Sequence, residues 1–193
     1  MALIMLVSMV LNLVLTPTWS LIPLLVKNHF HGGAAQLATL EAASGISVIA
    51  GGLILSVWGG FKRRAITSIV GVIGIGVGVF VVGLAPANLF VVAIVGNIIS
   101  GVSQVWANGA VMAIFQSLIP HHMQGRVMAL VGSASMLMTP LSLVIAGPVS
   151  DALGLQVWYW VGGGLCVLIG FAMFFSRSIL NIESDAEHAK HLG

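Results

Sequence analysis

The chain has 193 residues, of which 59% are hydrophobic and 6% are charged, and its formal net charge is +2. Soluble domains carry about 25% charged residues, so seven Lys and Arg with five Asp and Glu could not cover a water-exposed surface of this size. This composition, with a mean hydropathy of +1.11, excludes a soluble enzyme, a nucleic-acid-binding domain and a disordered tail, and it predicts a protein dissolved in lipid.

Six continuous apolar runs follow one another along the chain, and each is long enough for a transmembrane helix, which needs about 20 residues. Strands of a barrel would instead alternate polar and apolar residues over about ten positions. The predicted spans cover about 2–26, 37–58, 65–84, 89–118, 128–149 and 157–175. The fifth is broken by Pro140 and Pro148, and a short tail covers 176–193. Because the connections are short, we predict an all-α integral membrane protein of six antiparallel helices.

Basic residues in the short connections predict the orientation of the bundle. Only Lys27 falls on one side of it, between the first two spans. The other side carries Lys62, Arg63, Arg64, Arg126, Arg177 and Lys190. Because Lys and Arg are enriched in cytoplasmic loops, six against one predicts a multi-pass protein of the plasma membrane with both termini in the cytoplasm.

Two helix ends in different halves of the chain are similar to each other. Span two ends in a small-residue segment with Gly59 and Gly60, and span five ends in one with Gly147 and Gly154. The first would lie on the cytoplasmic side and the second on the outer side. Spans one to three and four to six would then be inverted repeats, an arrangement common in secondary transporters.

Three segments carry a family resemblance. The sequence GGLILSVWGGFKRR at 51–64 resembles the loop between helices eight and nine of major facilitator superfamily transporters. Pro120 with QGRV at 124–127 resembles the loop between helices ten and eleven of the macrolide-efflux-like drug:proton antiporters, and AGPVSDALG at 146–154 resembles the end of their helix eleven. The family's first loop usually has an acidic residue before its basic cluster, where this chain has Trp58 or Gly59.

The resemblance implies one half of a twelve-helix transporter, equivalent to family helices seven to twelve. It implies proton-coupled efflux of hydrophobic drugs such as macrolides, in which two six-helix bundles rock around a central cavity. The partners it implies are the substrate, protons, the lipid bilayer and either a missing N-terminal half or a second copy of the chain. No cofactor and no nucleic acid are implied.

Polar side chains recur at helical spacing in span four. Gln104 and Asn108 are four residues apart, so they share one face, which Met112 continues, whereas Trp106 points elsewhere. A face of amides and a thioether would suit a large, partly apolar substrate. Buried amides that hydrogen-bond to neighbouring helices are the alternative interpretation.

Span one repeats this spacing with Asn12, Thr16 and Trp19, and span five offers Met136. Helices seven, eight, ten and eleven line the central cavity of this half in the family. The resemblance therefore implies that these side chains form cavity walls.

Glu41 is the acidic residue that falls within a predicted span. A carboxylate in the bilayer must be neutralised, paired or solvated, so reversible protonation could couple it to proton flow. Its position about one turn from the outer end of span two allows a second interpretation, an interfacial helix-end role.

Other polar residues indicate no further chemistry. Lys62, Arg63, Arg64 and Arg126 form a cytoplasmic loop motif suited to topology or to an ion-pair latch between two bundles. His121 and His122 are adjacent, so their side chains diverge, and we predict a solvated loop without a metal site. With no catalytic motif, we expect no enzyme; the alternative to a transporter is a non-transporting membrane scaffold or an inactive fragment that needs a partner.

Overall fold

The computed structural model describes residues 2–61, 63–118 and 121–175, and every regular element within these ranges is an α-helix. In chain order the helices are α1 (Ala2–Ser20), α2 (Ile22–Asn28), α3 (Ala34–Trp58), α4 (Arg64–Leu84), α5 (Phe90–Leu118), α6 (His121–Leu153) and α7 (Gln156–Phe175). Lys62 and the predicted tail at 176–193, with Arg177 and Lys190, lie outside the described residues.

Four of the described helices, namely α3, α4, the Phe90–Ala113 part of α5, and α7, are long and apolar enough to cross a membrane. A fifth span is possible if Val10–Ser20 and Ile22–Asn28, which are bent by 40° against each other, count as one. In α6, Ser142–Leu153 is a shorter apolar stretch. The chain is therefore an all-α, multi-pass membrane protein, whereas the number of six spans stays a prediction.

The first predicted span is wrong as a single helix, because the structure has two. The break falls between Ser20 and Ile22, and Pro23 lies in the first turn of α2. Proline lacks a backbone N–H and its ring clashes with the carbonyl group four residues earlier, here that of Trp19. The chain therefore bends at this point.

The fifth predicted span lies within one longer helix, and its predicted breaks at the two prolines are wrong. The helix α6 continues through Pro140 and Pro148, since proline is tolerated in membrane helices whose freed backbone groups find other partners. It also begins at His121 and ends at Leu153. Residues 121, 122 and 126, expected in a loop, therefore lie in its first two turns, and Asp151 joins Glu41 as an acidic residue within a helix.

The proline in α1 has an identifiable partner on another helix. Pro17 has no N–H, so the carbonyl group of Leu13 lacks the donor that an α-helix supplies four residues later. The buried Ser142 hydroxyl of α6 donates to this carbonyl oxygen at 2.8 Å. This hydrogen bond thus gives the Leu13 carbonyl group a donor and joins α1 to α6.

Replacing Ser142 with Ala should destabilise the folded protein by about 1 kcal/mol, the usual size of an interhelical hydrogen bond in membranes. Thermal unfolding in detergent measures this change. Ser56→Ala is the matched control, because the exposed Ser56 hydroxyl donates within its own helix to Leu53 O. Equal melting temperatures for the two variants would contradict a structural role for the Ser142 contact.

The helix α4 lies at the centre of the bundle, packed against α5 on one side and α7 on the other, while α3 packs on α5 and α1 packs on α6 and α7. In the predicted repeat, spans one, two and three (α1, α3 and α4) correspond to spans four, five and six (α5, α6 and α7). The pair α3–α5 then corresponds to α6–α1, and the pair α4–α5 corresponds to α7–α1. All four pairs are in contact. The predicted inverted repeat of three plus three spans would produce this pattern.

Glycine allows α4 to approach both neighbours closely. A Cβ atom built on Gly78 would lie 2.6 Å from the Gly96 carbonyl oxygen of α5. One built on Gly163 of α7 would lie 2.7 Å from the Gly76 carbonyl oxygen and 2.6 Å from the Phe80 amide nitrogen, both of α4. Backbone meets backbone at these crossings, so no side chain larger than hydrogen fits.

Candidate functional site: a cavity between three helices

A cavity of about 250 Å³ lies between α1, α4 and α5. Its lining combines an apolar wall with amide, hydroxyl and indole groups, and each of the twelve residues is uncharged. They are Leu11, Asn12, Leu15, Thr16, Trp19, Ser68, Val72, Ile75, Gln104, Ala107, Asn108 and Val111.

Five of the seven residues predicted for the cavity come together here. Asn12, Thr16 and Trp19 are supplied by one face of α1, and Gln104 and Asn108 by one face of α5. The i, i+4, i+7 spacing puts each group on a single helix face, and both faces border the same space. The Thr16 hydroxyl donates to the Asn12 carbonyl oxygen at 2.6 Å, so its oxygen lone pairs are available as acceptors.

The sequence allows two interpretations of Gln104 and Asn108 on α5, a face for substrate or hydrogen bonds to neighbouring helices. Neither side chain makes a hydrogen bond to the part of the chain that the structure describes. Trp106, on another face, does contact a neighbour: its indole Nε1 donates to Gly51 O of α3 at 3.2 Å. Within the described residues the amides therefore border the cavity instead of joining helices.

Two predicted cavity residues lie elsewhere. Met112 does not line the cavity and is 45% exposed, because it lies two turns beyond Gln104 toward the end of α5. Met136 is 79% exposed on α6, and no described side chain of that helix lines the cavity.

Glu41 also lies away from the cavity. It is in the second turn of α3, and its side chain is exposed. The adjacent turn of α3 is fixed to α5, because the buried amide of Asn97 donates to Leu40 O at 3.0 Å and to Ser44 Oγ at 2.8 Å. The sequence analysis did not predict this contact of Asn97 between α5 and α3.

Ser68 is the polar residue of the cavity lining that the sequence analysis did not predict. It belongs to α4, is 4% exposed and borders the cavity. Its spacing from Val72 and Ile75 is again i, i+4, i+7, the signal that could have identified it. A single serine in a run of Gly, Val and Ile attracts no attention without a second polar residue on its face.

The described arginines of the predicted basic motif lie at two places, the start of α4 and the second turn of α6. Arg63 directly precedes α4, and Arg126 is exposed within α6. Arg64 is the first residue of α4, and its Nη1 donates to Ala113 O near the end of α5 at 3.2 Å. Arg64 therefore connects two helix ends within this bundle.

Comparison with known proteins gives a consistent result. The model of the Major Facilitator Superfamily matches residues 2–191. Macrolide efflux protein A of Streptococcus pyogenes is 27% identical over 180 residues, which cover 93% of this chain and 44% of that protein. The protein of the same name from Enterococcus faecalis is 28% identical over 140 residues, covering 72% and 43%.

A third relative is the multidrug efflux pump Tap of Mycolicibacterium fortuitum. It is 29% identical over 151 residues, which cover 77% of this chain and 36% of the pump. The chain thus spans less than half the length of these relatives. Because the family model matches nearly all of its residues, the chain belongs to the Major Facilitator Superfamily of membrane transporters.

Proposed function

We propose that this chain forms one wall of the substrate cavity in a transporter that exports hydrophobic drugs such as macrolides by proton antiport. The observation that carries the proposal is the pair of amides on α5, Gln104 and Asn108, which border a cavity and make no side-chain hydrogen bond to the described residues. Around them lie Leu, Val and Ile side chains. Apolar walls with a few polar groups are typical of small-molecule sites, and three relatives bear the names of efflux proteins.

The proposal includes a second six-helix bundle, either an N-terminal half or a second copy of this chain. Amide groups in hydrocarbon are costly unless they are hydrogen-bonded. Asn108 is exposed in the isolated chain, so it requires either water in a closed cavity or a facing protein surface. A second bundle opposite α1 and α5 would supply both, and rocking of the two bundles would give alternating access.

Replacing both α5 amides with Leu, as Gln104→Leu with Asn108→Leu, should lower drug efflux about thirtyfold, because two neutral hydrogen bonds of about 1 kcal/mol each are lost. The measurement is drug accumulation in cells that express the native assembly, meaning this chain with its second bundle. Asn88→Leu is the control, since Asn88 lies exposed in the connection between α4 and α5. Membrane levels of all variants are compared by immunoblot.

Unchanged accumulation with the double variant would contradict the transport proposal. It would favour the second class of function, a non-transporting membrane scaffold. In that case the same variant should alter binding to the partner bundle, which co-purification measures.

Proton coupling is assigned to Glu41 within this proposal. Glu41→Gln removes the ionisable proton but keeps the size of the side chain, so efflux should lose its dependence on an imposed pH gradient. Uptake into inverted vesicles, with and without the gradient, measures this dependence. The matched control is Asp151→Asn, which changes an exposed carboxylate in the last turn of α6.

If the Glu41→Gln variant responds to the gradient as the unaltered protein does, Glu41 has the helix-end role instead. Both termini are proposed to lie in the cytoplasm, with Arg63 and Arg126 on the same side. There they would be available to acidic groups of the second bundle.

A further inference from the structure

Ser68 differs from most buried hydroxyl groups of the bundle in having no hydrogen bond to the described part of the chain. Four other buried hydroxyls donate to backbone carbonyl oxygens: Thr18 to Leu15, Ser47 to Ser44, Ser100 to Asn97, and Ser142 to Leu13. Ser103, the other buried serine of the described chain without such a bond, does not line the cavity, whereas Ser68 does. A hydroxyl that borders a cavity can hydrogen-bond to the molecule that the cavity holds.

The neighbours of Ser68 in the cavity supply complementary groups. Gln104 and Asn108 each offer an amide N–H₂ donor and a carbonyl acceptor, and the three side chains come from two helices, α4 and α5, that pack directly on each other. Ser68 adds one further donor and acceptor. Together the three side chains present uncharged hydrogen-bond donors and acceptors to the cavity.

Charge is the property that this space lacks. None of the twelve lining residues is ionisable at neutral pH, and Glu41 lies outside the lining. An ammonium group would therefore find no counter-ion on this wall, and desolvating it without one is costly. A hydroxyl, ester or ketone oxygen could instead pair with the serine and the amides, while its carbon frame contacts Leu15, Val72 and Ile75.

We propose that Ser68, Gln104 and Asn108 form a subsite that binds uncharged oxygen groups of the substrate, hydroxyl and carbonyl, and that Ser68 is a specificity-determining residue. The proposal rests on the substrate-cavity function given above. It assigns recognition of any basic amine in the substrate to the second bundle. The substrate class for this wall is an apolar molecule bearing several neutral oxygens.

The test compares two probes in cells expressing the native assembly: a macrocyclic lactone with a basic amine, and the same lactone with that amine acetylated and therefore uncharged. Ser68→Ala should lower efflux of both probes by the same factor, about fivefold for one neutral hydrogen bond. Ser56→Ala, the same change at an exposed position on α3, should leave both unchanged. Gln104→Glu should favour the amine-bearing probe over the acetylated one, because it places a carboxylate in a neutral site.

The possible results distinguish a failure of the subsite proposal from a failure of the proposed transport function. If Ser68→Ala leaves both probes unaffected while the double Leu variant of Gln104 and Asn108 reduces them, the cavity function stands and the role of Ser68 is overturned. If Ser68→Ala reduces only the amine-bearing probe, the neutral-oxygen class is overturned. If no cavity variant changes efflux of either probe, the transport proposal itself fails.

Discussion

Replacing Gly163 with Leu should prevent α7 from packing on α4 and should leave little folded protein. A Cβ atom at this position would lie 2.6 Å from the Phe80 amide nitrogen and 2.7 Å from the Gly76 carbonyl oxygen. Both atoms belong to the α4 backbone, so no side-chain rotation can relieve the overlap. Overpacking in a core costs roughly 1–3 kcal/mol and occasionally more, and here a whole helix must move away from the centre of the bundle.

The neighbouring residue provides the control for this prediction. Gly164 is on the same helix, and a Cβ atom there meets nothing within 4 Å. Gly164→Leu should therefore keep or raise the melting temperature, because Leu is a better helix former than Gly. Gel filtration in detergent and thermal unfolding measure both variants. Monodisperse Gly163→Leu with an unchanged melting temperature would show that α4 and α7 do not pack as described.

Expressed by itself, the chain should give no drug efflux, whereas the native assembly should give full efflux. The described residues that border the cavity belong to α1, α4 and α5, and the polar side chain of Asn108 is exposed. Without a facing bundle the substrate has no closed site, and alternating access has no second body to rock against. Efflux from cells that express only these residues measures the prediction directly.

The mass of the native polypeptide would identify the proposed second bundle. An antibody against residues 176–193 should detect a band in source membranes at about twice the 20.0 kDa of these residues, the size expected for two six-helix bundles in one polypeptide. A band near 20.0 kDa would instead assign the second bundle to a second copy or a separate partner. Efflux by the isolated chain, at the level of the native assembly, would contradict the requirement for a second bundle.

Local sequence patterns were sufficient for the membrane class and for the positions of most helices. Apolar runs identified α3, α4, α5 and α7 to within a few residues, because a helix in lipid must be continuous and apolar over the thickness of the bilayer. At prolines, the sequence did not predict whether a helix would break or continue. Pro23 lies at a bend between two helices, whereas Pro140 and Pro148 lie within one uninterrupted helix.

The proline ambiguity has a physical cause. Whether a proline breaks a membrane helix depends on which neighbours satisfy the freed backbone groups. At Pro17 the neighbour is Ser142, 125 positions later in the chain, which donates to Leu13 O. No local pattern contains that contact.

The cavity, too, was predictable in part from local sequence and in part only from tertiary packing. Helical spacing alone put Asn12, Thr16 and Trp19 on one face and Gln104 and Asn108 on another, and no pattern within either helix could state that the two faces meet. Tertiary packing decided that these five residues border one cavity, that Met136 is exposed and outside its described lining, and that Ser68 of a third helix joins it. The sequence by itself determined the medium, the helices and their polar faces, because these depend on hydrophobicity and on the period of the helix. Only the tertiary structure showed the crossings at Gly78 and Gly163, where α4 approaches α5 and α7 closely, because these contacts join residues far apart in the chain.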